Sequence, residues 1–325
     1  MKILVSGGAG YIGSHITRQA RHQNHDVCVL DDFSTGNERS VKDCEILRVN
    51  LLDKELLKKC LRGRNFDGVI HLAAKSLVGE SIINPYTYYE NNIVGSLNLL
   101  NEMLQNDIHR IVFSSTAAIF GNPNTDIIRE DHPKNPISPY GRTKLLVENF
   151  LNDLSIAQKC SAVCLRYFNA AGADPDGKIG EAHDPETHLI PLLLKSHYGE
   201  NHPFRVFGNN YPTADGTCIR DYVHVNDLAD AHLLALEKLQ NTSGFSDYNL
   251  GSSIQSSVME VIKSCERTTG RQINYKIGKH RKGDAAVLVA NSEKAKTELG
   301  WRPKFDNLEK IIETAWNWQS QFESY

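Results

Sequence analysis

The stretch KILVSGGAGYIGSH, residues 2–15, constrains the fold more than any other part of the chain. A short apolar run suited to a β-strand ends in a glycine turn that opens directly into a helix. The glycines satisfy two spacings at once, Gly8-x-Gly10-x-x-Gly13 and Gly7-x-x-Gly10-x-x-Gly13. In that setting they let the backbone approach a pyrophosphate at the positive end of the helix, so Gly7, Gly10 and Gly13 are candidate dinucleotide contacts. The second apolar run ends in Asp31-Asp32, eighteen residues after Gly13. An acid there can accept hydrogen bonds from an adenosine ribose and repel a 2′-phosphate, which favours NAD over NADP.

Similar apolar runs recur at 27–30, 45–49, 68–73, 110–115 and 161–168, separated by helix-period segments that include 86–105 and 140–158. The alternation predicts repeated βαβ units: an α/β chain with a doubly wound parallel sheet, a Rossmann domain for NAD. Beyond residue 170 the rhythm changes to GADPDGKIGEAHDPETH, a loop by composition. The boundary is therefore expected at 170, with residues 1–170 holding NAD and 171–325 forming a smaller mixed α/β substrate domain, with some chain crossing between the two. That second half is read as helices starting near 188–191 and at 226–239, 257–268 and 307–319, plus a strand at 204–208. A second apolar face on the helices at 86–105 and 140–158 would suit a homodimer.

The 325 residues carry a net charge of −3 with the two signs interspersed, which disfavours nucleic acid or a membrane surface as partner. No apolar run approaches membrane-spanning length, and the start of the chain leaves no room for a leader, so the protein is expected in the cytoplasm. Seven scattered cysteines with no CxxC pair fit reduced thiols, and no metal site is expected.

The segment SPYGRTK, 138–144, sets Tyr140 and Lys144 one helical turn apart behind two prolines. A phenol with a pKa near ~10 is too weak a base at neutral pH. A cation about 4 Å away at an effective dielectric of ~20 offers roughly 4 kcal/mol, or about 3 pK units, while desolvation works in the opposite direction. Tyr140 is thus a candidate general base with Lys144 as its partner. Thr116, in SSTAAIFG at the carboxyl end of the fifth strand, is placed to reach the same substrate hydroxyl.

Taken together, GGAGYIGSH, HLAAKSLVGES, YYENN, SSTAAIFG, SPYGRTK, RYFNAAGA, GTCIRDYVHV and RKGD resemble the extended short-chain dehydrogenase/reductase family, specifically its UDP-glucose 4-epimerase branch, over essentially the whole chain. The resemblance implies that Tyr140 removes the 4-OH proton of a UDP-sugar while hydride passes to NAD. The 4-keto sugar then turns over and takes hydride back on its other face, so NAD stays bound. It further implies cofactor contacts from Tyr11, Ile12, Asp31, Asn91, Lys144 and Phe168. The uridine-diphosphate site would comprise Asn169, His188, Leu189, Phe207, Arg220, Arg281, Asp284 and Leu288. The two arginines suit bidentate diphosphate contacts, Phe207 the uracil face and Asp284 a ribose hydroxyl.

The chain departs from the family pattern at several positions. Ile119-Phe120-Gly121 replaces Val-Tyr-Gly, Asn50 stands where an adenine-contacting Asp is common, and His188 stands where some members have Asn. Leu288 is intermediate in bulk at the position that helps decide whether N-acetylated sugars fit, so a UDP-N-acetylglucosamine or dual-specificity epimerase is the alternative. A 4,6-dehydratase would need an acid pair where this chain has Ala117-Ala118. A non-catalytic NAD-binding regulator would be expected to lack Tyr140 or Lys144.

Overall fold

The computed structural model describes residues 1–196, 204–252, 255–280 and 285–322. The predicted alternation is visible from the first residues. Strand β1 (Lys2–Ser6) feeds helix α1 (Tyr11–His22), followed by β2 (Asp26–Asp31), β3 (Glu45–Arg48), α2 (Lys54–Leu61) and β4 (Gly68–His71). Asp53 caps α2 by accepting from the Leu56 amide, which satisfies one of the unpaired amides of its first turn. Next come α3 (Val78–Ile83), α4 (Pro85–Tyr89) and α5 (Gly95–Gln105), the last two joined by a single wide π turn over Glu90–Val94. The chain continues through β5 (Arg110–Thr116), β6 (Ile127–Ile128), α6 (Pro139–Ile156), β7 (Ser161–Tyr167) and β8 (Asn169–Ala171).

After the long loop lie α7 (Leu189–Lys195), β9 (Phe204–Phe207), β10 (Ile219–His224), α8 (Val225–Asn241) and β11 (Phe245–Leu250). The chain closes with β12 (Gln255–Ser257), α9 (Val258–Thr269), β13 (Tyr275–Gly278), β14 (Val287–Ala290), α10 (Glu293–Glu298) and α11 (Leu308–Phe322).

Seven strands form an all-parallel sheet in the order β11-β7-β5-β4-β1-β2-β3. The order reverses between β1 and β4, and a doubly wound sheet opens a ligand crevice there, at the carboxyl ends of its strands. One face buries Leu4, Val69, Ile111 and Cys164 under α2, α5 and α6. The other buries Ile3, Val5, Ile70 and Val163 against α1 and α8. Each fully buried Ile or Leu contributes about 1.5–3 kcal/mol relative to exposure.

A smaller sheet, β12-β10-β14-β6 with β8 beside β10, carries the second lobe together with the pair β13-β9. Helices α7, α9 and α11 pack around their own apolar cluster of Leu193, Ile262 and Ile312.

The chain crosses between the lobes more than a single cut would give. Helix α8 and strand β11 both come after residue 170, yet both join the large sheet: α8 covers it with Leu228, Leu233 and Leu236, and β11 pairs along β7. The helix at 226–239, read from sequence as part of the second half, thus serves the first layer, because its Leu/Ala face matches the uncovered side of β5 and β7. A buried ion network fastens these late elements. Arg166 on β7 pairs with Glu148 on α6 and Asp247 on β11. Trp301 is fully buried and donates its indole N–H to the Asp227 carbonyl on α8.

Candidate active site

The glycine turn is built around two contacts that forbid side chains. Gly7 sits at φ +77°, and a Cβ there would lie 2.5 Å from the Ala73 amide nitrogen. A Cβ on Gly13 would lie 2.0 Å from the Gly7 carbonyl oxygen. At Gly10 the nearest neighbour would stand at 3.4 Å, so this glycine caps the helix without being sterically obligatory. No side chain caps α1 and no acid lies in its first turn, which leaves the amides of Tyr11, Ile12 and Gly13 at the positive end of the helix.

Asp31 ends β2 almost buried, accepting from the Ala9 amide at 2.9 Å and the Phe33 amide at 2.9 Å. Burial holds its carboxyl above the ordinary value, offset in part by those two bonds. Asn50 donates to Asp32 at 2.7 Å, so this residue is spent on the neighbouring acid. Tyr11 reaches across to the second lobe, its hydroxyl donating to the Gly172 carbonyl at 2.6 Å. Ile12 packs on the core beneath. Asn91 lies in the π turn, where the wider backbone step sets it beside Asn92 at 3.3 Å, and Asn92 in turn binds Thr143 on α6.

At the end of β5, Thr116 caps a short 3₁₀ turn (Ala117–Phe120) by accepting from the Ala118 amide at 3.1 Å. Ser138 caps α6 and Pro139 starts it. A Cβ at Gly141 would meet the Ala118 carbonyl at 2.5 Å, so the helix is seated directly on the 3₁₀ turn. Tyr140 is thereby brought to Thr116, whose side chain favours the ionised phenol.

Burial holds the Tyr140 phenol above its ordinary pKa, and Thr116 offsets only part of this. Lys144, 4% exposed, donates to the Ser114 carbonyl at 2.8 Å and lies over the Phe113 ring. Its burial pulls it down to about 7, with Cys164 and Glu148 acting against that shift. Desolvation therefore outweighs the charge argument made from the Tyr/Lys spacing: among protein groups alone, the phenol stays protonated at neutral pH.

The residues expected at the sugar-nucleotide end gather around the second sheet. Asn169 faces Tyr222 in register and donates to the Asp221 carbonyl at 3.0 Å. Arg220 pairs with Leu288 across β10 and β14, and its guanidinium donates to the carbonyls of Ile219 and Ala285. Leu288 packs with Ala117, Phe120 and Phe168, which links this sheet to the turn that bears Thr116. Phe207 ends β9, half-buried, and Leu189 begins α7 against the second core. His188 precedes α7 and binds Glu186 at 2.8 Å. Arg281 and Asp284 lie outside the described residues.

The model of the NAD dependent epimerase/dehydratase family matches residues 3–251. The chain is 48% identical to the UDP-glucose 4-epimerase of Halalkalibacterium halodurans over 321 residues, covering 99% of this chain and 96% of that one.

This chain belongs to the NAD dependent epimerase/dehydratase family.

Two solved structures extend the comparison. The Bifidobacterium longum UDP-glucose 4-epimerase in complex with NAD+ and UDP superposes with a TM-score of 0.93 at 35% identity, covering 99% and 98% of the two chains. The UDP-Glc/GlcNAc 4-epimerase of Campylobacter jejuni superposes with a TM-score of 0.86 at 39% identity, covering 98% and 99%.

The glycine turn of this epimerase/dehydratase chain fits the family's cofactor on its own geometry. Gly7 and Gly13 keep clear a cradle that any Cβ would fill, and the uncapped amides of α1 suit a pyrophosphate. Sequence reading passed over three features of the site. Glu148, one turn beyond Lys144, accepts from Ser115 and Arg166 behind the catalytic helix, and its i+4 spacing was there to be read. The Tyr11 clasp to Gly172 joins residues 161 apart and has no local signal. The third is the set of Glu181, His183 and Glu186 gathered around His188 in the long loop, which an argument from cysteine spacing does not reach.

Proposed function

We propose that this chain interconverts UDP-galactose and UDP-glucose by inverting C4 through a 4-keto sugar, with NAD retained throughout. The observation that carries the reading is the joining of Thr116 and Tyr140 at the carboxyl end of β5, one helical turn from buried Lys144 and beside the glycine cradle. NAD, when bound, supplies the hydride acceptor and a positive charge near the phenol.

The chain's own groups do the rest. Tyr140 takes the proton from the sugar 4-OH and returns it, Thr116 orients that hydroxyl, and Lys144 holds the cofactor ribose and the field around the phenol. Gly7, Gly10, Tyr11, Ile12, Gly13, Asp31, Asn91 and Phe168 are proposed as cofactor contacts. Asn169, His188, Leu189, Phe207, Arg220, Arg281, Asp284 and Leu288 are proposed for the UDP-sugar. Residues 1–170 would chiefly hold NAD and 171–325 the sugar nucleotide. A place in the cytoplasm accords with seven cysteines that form no disulfide among the described residues, and a role in galactose use follows from the reaction.

A homodimer is also proposed. Val78, Ile82, Ile83 and Tyr86 on α3 and α4, with Leu146 and Phe150 on α6, are large apolar side chains left exposed on neighbouring helices.

Purified protein with no cofactor added should convert UDP-galactose to UDP-glucose and release NAD on denaturation. Retained NAD without conversion of UDP-galactose or UDP-N-acetylgalactosamine would overturn the reading. Faster turnover of the N-acetylated sugar would favour the alternative specificity at Leu288.

A further inference from the structure

The long loop between β8 and α7 holds a cluster of which only His188 enters the proposed UDP-sugar site. Glu181, His183 and His188 each offer a ligand atom, and all three atoms lie within 4.8 Å of one another. The His183 ring and amide both meet one oxygen of the Glu181 carboxylate, the amide at 2.8 Å. The other oxygen, Oε2, is buried with no hydrogen-bond partner and lies 3.8 Å from Nδ1 of His188. Glu186 repeats the pattern. Its Oε1 accepts from the Thr187 and His188 amides and meets the His188 ring, while its Oε2 is buried and unpartnered.

A carboxylate oxygen taken out of water without a partner costs about 1–3 kcal/mol or more, so two in one loop call for an explanation. Glu181 is only 7% exposed, and Trp318 of α11 fixes its backbone by donating to the Glu181 carbonyl at 2.8 Å. Gly180 has no room for a side chain against the same indole, so the loop is pinned where the carboxylate faces both imidazoles. A single positive ion held by Glu181, His183 and His188 would answer the orphan oxygen of Glu181.

We propose that Glu181, His183 and His188 bind one divalent transition-metal ion of the Zn2+ class, with Glu186 orienting His188. Two imidazoles and a carboxylate are the mixed nitrogen and oxygen donors that such ions take, whereas Mg2+ and Ca2+ prefer oxygen alone. The ion would tie the long loop to the start of α7 beside Tyr11. This site is separate from the proton and hydride chemistry, and its occupancy is read without any turnover.

The test uses the full-length, NAD-loaded protein, stripped of metal with a chelator and titrated with Co2+ while the visible spectrum is followed. We expect one Co2+ per chain, d–d absorption without sulfur-to-cobalt charge-transfer bands, and loss of the signal when Zn2+ is added. Glu181→Gln and His183→Ala should each weaken binding about tenfold or more. His183→Gln, which leaves Glu181 a hydrogen-bonding neighbour, serves as a second variant if His183→Ala does not fold. A flat spectrum would overturn the proposal and leave the cluster a closed set of Glu–His hydrogen bonds. Sulfur bands, or binding unchanged in properly folded variants, would overturn it equally by placing the cation elsewhere.

Discussion

Tyr140 and Lys144 pull against their surroundings. The phenol is held protonated by burial, and the ammonium is brought to about 7 by the same cause. Tyr140→Phe should keep the fold and the bound NAD while losing about two to four orders of magnitude in epimerisation rate. Near-normal turnover in that variant would remove Tyr140 from its assigned part.

The lysine makes a different, purely thermodynamic prediction. Its pKa is lowered on folding, so above about 7, and up to the unfolded value near ~10.4, the unfolded chain binds the extra proton. The burden of burying Lys144 is therefore complete below about pH 7 and is relieved as pH rises. In cofactor-stripped protein, Lys144→Met should melt higher than the parent by on the order of a few degrees near neutrality, with the gap closing toward pH ~10. A gap independent of pH would mean that Lys144 keeps an ordinary pKa in the fold. The spacing of Tyr140 and Lys144 was legible in the sequence. The outcome of their electrostatics was not, because it depends on Ser114 and Phe113, some thirty residues away on β5.

At the level of elements, the glycine turn is where sequence and geometry agree most closely, since its constraints are local. Gly13→Ala would drive a methyl group to 2.0 Å from the Gly7 carbonyl. It should lower stability by about 1–3 kcal/mol in urea unfolding and release NAD during purification. An unchanged midpoint with full NAD would refute the cradle.

The first six strands of the large sheet and both long helices were also legible, because burial on two faces writes continuous apolar runs and helical stripes. Several later strands were not. Strand β11, FSDYNL, carries Asp247 to meet Arg166, and β12 is three polar residues paired to β10, so neither shows the composition of a buried strand. The π turn at Glu90–Val94 was equally silent, since a one-residue widening barely disturbs the helical stripe.

For the whole molecule, the exposed apolar side chains of α3, α4 and α6 lie on the outer side of the helix whose inner side carries Tyr140 and Lys144. Replacing Leu146 and Phe150 together by Glu should convert a dimer to a monomer in sedimentation velocity while leaving the NAD content intact. A monomeric parent, or an unaltered dimer in the variant, would move the interface elsewhere.

The division into lobes was legible only as a change of rhythm near residue 170, because α8 and β11 return to the first sheet across a sequence distance that no local pattern records. The Tyr11 bond to Gly172 spans the same divide, and residues 180–183 line one cleft with Ala9, Gly10 and Tyr11. A dinucleotide seated on the glycine turn would lie behind a door hinged in the other half of the molecule. On the proposed reading, its residence time would follow how often that contact opens, and retention would be a matter of kinetics as much as of affinity.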